Sequence, residues 1–370
     1  MQIFHYMKIK EIVDALERFA PLPLQDGFDN AGLQVGLTEA TVTGALLCLD
    51  VTEEVVDEAI ADNCNVIISH HPLLFNKLKR ITGENYIERC VMKCIRKGIV
   101  VYSAHTNMDN ALYGVNYKMA EKIGLQQLEI LGPKEDNLLK LVTYVPAAYA
   151  DQVRNALFQA GCGSIGKYDS CSFNADGTGT FRAGENTHPF VGKIGEEHHE
   201  KEVRIETIVP ANKEGSAVKA MLDVHPYEEP AYDLFPLKNK WSQAGSGAIG
   251  VFDKEMPPME FLNLLKSAFG VECLRYNDYL GTNIKRVALC GGAGAFLIPL
   301  AIERHADAFI TGEIRYHEFF GHENEILLAE MGHYESEQYT KEIFYSIIKD
   351  LCPAIPLFMC SVNTNPIKYL

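Results

Sequence analysis

The sequence predicts an α/β protein whose two-part parallel-sheet α/β core is split in sequence by an inserted ferredoxin-like (βαββαβ) domain. Three observations predict it. Apolar runs alternate with helical periodicities over the first 130 or so residues. The pattern then changes to β-α-β-β-α-β over about 100 residues, after which strand–helix alternation resumes to the end. The expected segments are 1–132 for the first half of the core, 138–238 for the insertion and 240–370 for the second half.

The elements follow in order. Ile9, Ile12, Val13, Leu16 and Phe19 recur at helical spacing, and Pro21 and Pro23 stop that helix. An irregular polar stretch with Gly27, Asp29, Asn30 and Gly32 follows. A strand at 44–49 ends in Asp50, a helix covers 52–62, a strand 65–69, a helix 86–97 and a strand 99–103. Strands separated by helices imply parallel pairing with helices on both sheet faces. In the middle, the expected elements are a strand at 139–145, an amphipathic helix at 148–160 and a strand at 169–173 before a Gly/Thr/Asn-rich stretch to Asn186. A strand at 202–209, a helix at 215–224 and an extended piece at 230–237 complete the insertion. Beyond a Gly/Ser turn at 245–247 come a helix at 258–269, a strand at 286–290, a glycine turn at 291–294, a helix to His305 and a strand at 308–311. A helix after Glu313, a strand at 325–329, a long helix from His333 and an extended piece at 356–360 end the chain.

The bulk numbers exclude several classes. A formal charge of −15 over 370 residues leaves no footprint for a phosphate backbone, so a nucleic-acid partner is disfavoured; the short basic run from Lys77 to Arg80 reads as a solvated loop. No run of about 18 apolar residues exists to cross a membrane, and the N-terminus lacks the charged-then-apolar layout of a secretory leader. Ten cysteines without a C-x-x-C pair, most inside apolar patterns, read as reduced core residues of a cytoplasmic protein.

The chemistry gathers at strand ends. His333 and Glu337 are four residues apart at the start of a helix, so an imidazole and a carboxylate reach one point. Two other apolar runs end in ligand-type residues, Val66-Ile67-Ile68-Ser69-His70-His71-Pro72 and Ile99 through His105 to Asp109. In open α/β sheets the carboxyl ends of strands carry the site, which places His70, His71, Asp109, Glu313 and His333 together. A single histidine at a strand end is more often a hydrogen-bonded structural group. A His-His-Pro run differs, because Pro72 ends the ladder and frees consecutive side chains from strict alternation. Three imidazoles and two carboxylates without a thiolate suit zinc, iron, manganese or nickel. Five donors exceed one catalytic zinc and suit two divalent metal ions about 3.5–4 Å apart, bridged by a carboxylate and a water or hydroxide.

The motifs Asp29-Asn30-Ala31-Gly32-Leu33-Gln34-Val35-Gly36, Ser69-His70-His71-Pro72, His105-Thr106-Asn107-Met108-Asp109, Thr311-Gly312-Glu313 with Tyr316-His317, and Gly332-His333-Tyr334 with Glu337 occur in one order. Together they resemble the Nif-three-like dinuclear-metal-centre family, often labelled GTP cyclohydrolase I type 2 homologues, over residues 1 to about 130 and 240–370. The resemblance implies that His70, His71, Asp109, His333 and Glu337 hold the two ions, and that the chain forms a toroidal homohexamer, a trimer of dimers. It also implies that the insertion is PII/CutA-like. Glu313 departs from the aspartate common in the family. By the same label the substrate is a small molecule, GTP or another nucleotide, hydrolysed by a metal-bridging hydroxide, with His105 or His317 as proton shuttle. His105 and His317 otherwise orient ligands or cap loops. A phosphoester substrate is equally compatible, and the competing class is a regulatory or metal-delivery protein without turnover.

Four further features have two readings each. Asp50 either stands behind a metal ligand or caps a helix, the cap being the better reading, and Glu335 is a solvated side chain or a tie to a neighbouring chain. The turn Gly291-Gly292-Ala293-Gly294 either cradles a phosphate or is simply tight. The run from His225 to Pro230 lines a cleft or forms a rigid proline-bounded turn.

Overall fold

The structure is a computed structural model that describes residues 7–135, 137–281 and 283–370. Positions 1–6, where most of the leader reading falls, lie outside the described residues together with 136 and 282. The fold is mixed α/β with several sheets, and the chain divides into two compact units, one running to Gly132 and resuming at Gln243, the other Pro133–Ser242.

The first half of the larger unit contains α1 (Ile9–Phe19), β1 (Gly32–Val35), β2 (Ala45–Cys48), α2 (Glu53–Ala61), β3 (Val66–Ser69), α3 (Tyr86–Lys97), β4 (Val100–Ser103), α4 (Thr106–Asn110), α5 (Val115–Lys122) and β5 (Gln126–Lys134). All four residues of β2, β3 and β4 are buried, as expected of parallel strands covered on both faces. Thr52 caps α2 by accepting from the Val55 N–H, Asn85 caps α3, and Gly98 ends α3 in the left-handed region.

The smaller unit runs β6 (Leu138–Pro146), α6 (Ala150–Gln159), β7 (Ser172–Arg182), β8 (Glu197–Pro210), α7 (Glu214–Leu222) and β9 (Tyr232–Leu237). Its sheet order is β7-β8-β6-β9 and all three pairings are antiparallel. Its core packs Leu141, Val145 and Ile205 of the sheet with Val153, Leu157 and Met221 of the two helices.

The second half of the larger unit contains β10 (Trp241–Met256), α8 (Pro258–Phe269), β11 (Arg275–Tyr276), β12 (Ile284–Cys290), α9 (Ile298–Glu303), β13 (Ala308–Thr311), β14 (Leu327–Glu330), α10 (His333–Glu337), α11 (Thr340–Leu351) and β15 (Leu357–Met359). The last strand returns to the first sheet, giving β1-β4-β3-β2-β15, while the other sheet is β11-β14-β13-β12-β10-β5.

Several expectations change. The sheets are not purely parallel: the central pairings β15-β2-β3-β4 and β12-β13-β14 are, but β1, β10 and β11 join antiparallel. The Gly/Thr/Asn stretch is strand β7, because a long hairpin partner supplies the ladder that weak β propensity lacks. The 245–247 turn lies inside the sixteen-residue β10. After Glu313 there is only a 3-10 turn, Tyr316–Phe319. The long helix from His333 is two helices, broken where the Thr340 hydroxyl donates to the Glu337 carbonyl at 2.7 Å.

Candidate metal centre

The strand ends of the larger unit converge. At the end of β3 the Ser69 and Ser103 hydroxyls meet at 2.7 Å, and both reach the His71 carbonyl, at 2.9 and 3.4 Å. That clamp, with Pro72 next in sequence, fixes the backbone so that both His70 and His71 turn inward. His70 is fully buried and its Nδ1 donates to the Ala104 carbonyl at 2.8 Å, which leaves Nε2 as a lone pair.

The same arrangement recurs on each imidazole. His71 Nδ1 meets Asp50 Oδ1 at 2.7 Å, His105 Nδ1 meets Asp29 Oδ1 at 2.7 Å, and His333 Nδ1 meets Glu313 Oε1 at 2.8 Å. An oxygen behind each ring fixes the tautomer and aims Nε2 forward, as metal-ligating histidines require.

Glu337 stands at the convergence, only 3% exposed. Its Oε2 lies 2.9 Å from His71 Nε2, 3.1 Å from His333 Nε2 and 3.7 Å from His70 Nε2. The short helix α10 that carries it begins at Gly332, φ +97°, where a Cβ would collide with Glu335 Oε2. Opposite, Gly292 has φ +59°, and a Cβ there would strike Glu337 Oε1. The glycine turn is therefore the tight one: the Gly291, Gly292 and Gly294 N–H groups already bond Asn116, Ser336 and Thr311, and are not free for a phosphate.

Asp109, on α4, lies 3.6 Å from His70. Its Oδ1 and His70 Nε2 are buried atoms without a hydrogen-bond partner. Leaving such atoms unmatched costs on the order of 1–3 kcal/mol each, and a cation placed between them would satisfy both. Among the described residues, three donor groups lie within 4.8 Å of one another: His70 with His71 and His105, His71 with His333 and Glu337, and His70 with Asp109 and Glu337. The chemistry of the set therefore fits a metal.

The ionisable groups of the site shift one another strongly. Burial and then the Glu337 charge push the Asp109 carboxyl up to about 8, against the pull of His105 and His71. Burial would also protonate Glu337, but His70, His333 and His71 outweigh it and hold that carboxyl well below its usual range. His71 is raised to about 10 and His333 to about 9: burial opposes this, and their carboxylate partners prevail. Asp29 falls to about 2, since its bonds to His105 and Thr106 overcome burial.

The remaining candidates are placed as follows. His105 joins the cluster, its ring 5.3 Å from that of His70. His317 does not: it is exposed on the 3-10 turn, against Tyr316 and Phe320, and belongs to none of the three donor groups. Asp50 is not the helix cap, since Thr52 takes that place; it stands behind His71 instead. Glu313 backs His333 rather than facing the convergence, and Glu335 accepts from the Asn365 amide at 2.7 Å. In the smaller unit His225 makes a rigid turn, donating to the Tyr144 carbonyl and accepting the Tyr227 N–H, while Tyr227 and Glu229 line a cavity of about 730 Å³. Asp29 was visible only as part of a motif. Asp50 was findable, since it ends an apolar run as His70 does.

Comparison with known proteins follows this geometry. The model of the Duf34/NIF3 (NGG1p interacting factor 3) family matches residues 7–366. Proteins named "GTP cyclohydrolase 1 type 2 homolog" from Halalkalibacterium halodurans and Bacillus subtilis are 38% and 36% identical, over 97% and 98% of this chain and 98% of each relative. The crystal structure of a Bacillus cereus protein related to NIF3 superposes with a TM-score of 0.84 at 36% identity, covering 99% of this chain and all of that one.

Proposed function

Because this chain belongs to the Duf34/NIF3 family, we propose that its cluster holds two divalent cations, zinc, iron, manganese or nickel, and that it is a metal-dependent hydrolase of small molecules. One observation carries the reading: a single buried carboxylate oxygen, Glu337 Oε2, faces three imidazole nitrogens whose rings are each held from behind by an oxygen. His70 and Asp109 would hold one cation and His71 and His333 the other, with the Glu337 carboxylate in reach of both. Two bound divalent cations supply Lewis acidity and lower the pKa of a coordinated water toward neutrality. Around them the chain's own groups act. His105, fixed by Asp29, presents Nε2 to a cavity of about 220 Å³, where it takes or releases a proton. Phe28 and Phe296, both exposed, line the same cavity and would hold a flat ring.

The relatives' name makes GTP the first substrate to test, with other nucleotides and phosphoesters next. His317, remote from the donor groups, serves the reaction only if a substrate or a second chain brings it near. We read 138–238, within the unit Pro133–Ser242, as a ferredoxin-like, PII/CutA-like insertion on its element and sheet order, with core halves at 1–132 and 240–370. A homohexamer, a trimer of dimers, is the assembly proposed, and the ten unpaired cysteines suit the cytoplasm. Among the described residues no helix is long and apolar enough to cross a membrane.

A second reading, metal storage or delivery, draws on the cavity, which is smaller than the roughly 300–1,000 Å³ usual for ligand sites. Metal analysis combined with turnover on GTP, cyclic esters and phosphodiesters separates the two. The hydrolase reading expects two ions per chain and an activity that Glu337→Ala abolishes. Pure protein with two ions and no turnover on any of the three overturns it in favour of storage.

A further inference from the structure

We propose that the C-terminal segment, residues 361–370, is a strap that sets the metal affinity of one of the two positions, the one at His71 and His333, through Thr364 and Asn365. The inference rests on the metal-centre reading above and adds a positioning device to it.

Two bonds reach the centre from this segment. The Thr364 hydroxyl donates to Asp50 Oδ2 at 2.6 Å, while the other oxygen of that carboxylate holds His71 Nδ1 at 2.7 Å. The Asn365 amide donates to Glu335 Oε1 at 2.7 Å, and Glu335 lies midway between His333 and Glu337 on α10. The strap therefore grips the orienting partner of one ligand and the helix that carries two others.

The grip through Thr364 is one-sided, reaching His71 alone among the ligands. His70 is held by the Ala104 carbonyl at 2.8 Å, and Asp109 Oδ1 has no hydrogen-bond partner. Among the described residues no hydrogen bond runs from the strap to either of them. Where the strap begins, Cys360 N–H bonds the Leu47 carbonyl at 2.9 Å and Ser361 N–H bonds Glu58 at 2.7 Å. Beyond Thr364, the Asn365 side chain accepts from the Ile367 N–H at 3.0 Å, folding the segment on itself.

The physical consequence follows from the carboxylate. Asp50 without Thr364 keeps its charge but gains rotational freedom, and His71 Nε2 is then aimed less narrowly. Loss of such an outer partner ordinarily costs 10- to 100-fold in metal affinity. Thr364→Val removes the hydroxyl with little change of volume, whereas Thr364→Ser keeps it.

The test is a chelator competition on the full chain with Co²⁺, followed by its visible absorption. Wild-type protein should take two ions in two steps. In Thr364→Val one step should weaken about 10- to 100-fold and the other by less than about twofold, with Thr364→Ser restoring both. The absorption band of the weakened ion should shift, and adding Asn365→Ala should weaken the same step further. Unchanged titrations in Thr364→Val overturn the strap while leaving the two-metal reading in place. Equal weakening of both steps, tracking a fall in thermal stability, also overturns it. Wild-type protein that takes up no Co²⁺ overturns the metal reading and the strap with it.

Discussion

The two units of this chain solve the same burial problem in opposite ways. In the inserted unit the buried ionisable groups are matched: Glu202 accepts from the Tyr227 hydroxyl at 2.7 Å, and His225 uses both ring nitrogens on backbone groups. Among the described residues its buried side-chain atom without a partner is a neutral amide oxygen, on Asn212. The α/β unit instead buries an imidazole nitrogen and a carboxylate oxygen without partners, beside a carboxylate shared by three imidazoles, and elsewhere leaves Arg286 Nε unpaired. A fold keeps ligand-type atoms unmatched in its interior only where something else completes them. The difference places the candidate metal ligands in the α/β unit.

The comparison breaks most decisively at Glu337. On the two-cation proposal, Glu337→Gln removes the charge that both positions would share, so metal analysis should fall from two ions per chain to one or none. In the cation-free protein the same change leaves three imidazoles facing a neutral amide, at a cost of about 3–5 kcal/mol by chemical denaturation. Retention of two ions by this variant would remove the shared-carboxylate geometry from the account.

In the insertion the largest effect should come from packing. Leu141 is fully buried between the sheet and its helices, and Leu141→Ala should destabilise that unit by about 2–5 kcal/mol. Hydrogen exchange should speed up in β6, β8, α6 and α7, with metal content unchanged. Loss of metal in this variant would show that the two units are not separate in the sense drawn here.

The sequence carried the centre further than it carried the fold's edges. His70, His71, Asp109 and His333 were legible because each follows an apolar run, a pattern that strand geometry imposes, and Glu337 because a helical turn pairs it with His333. What escaped was set by tertiary contact. Asp50 reads first as a cap because an aspartate before a helix ordinarily is one, and its other reading, behind a ligand, is decided by Thr52 taking the cap and by the position of His71. The helices α4 and α5 and the long β10 were missed because short or glycine-interrupted segments owe their structure to neighbours rather than to periodicity. Thr364 had no local signal; it lies 314 residues from its partner.

A smaller and sharper test uses protons. With pKa values near 10 and 9, His71 and His333 are both charged in the cation-free protein at pH 7.5. Coordination needs them neutral and the Asp109 carboxyl, raised to about 8, ionised, so loading should release close to three protons, about two from these rings and most of one from Asp109, measured by calorimetry in buffers of different ionisation enthalpy. The raised values also fix the sign of the stability change. Their contribution is complete below the ordinary histidine value near 6.5 and is lost as pH rises through about 9 to 10. Cation-free protein should therefore lose thermal stability over that alkaline window while its metal affinity rises. Metal uptake without proton release would contradict the protonated cluster.

The smallest effect should come from an ion pair whose geometry looks equally good. On α7, Lys219 and Asp223 meet at 2.6 Å, shorter than the 2.7 Å of Asp50 and His71, but their side chains are 74% and 58% exposed. Water screens the first pair and its long side chains lose entropy to hold it, so a double-mutant cycle should give about 0.3–0.5 kcal/mol. The Asp50–His71 pair, three-quarters hidden on the histidine side, belongs with charge-assisted hydrogen bonds worth about 1.5–3 kcal/mol in the cation-free protein. A cycle on Lys219 and Asp223 exceeding about 1 kcal/mol would mean that the insertion also stores energy in polar contacts. The contrast between the unit holding the candidate ligands and a plainly packed one would then fail from the other side.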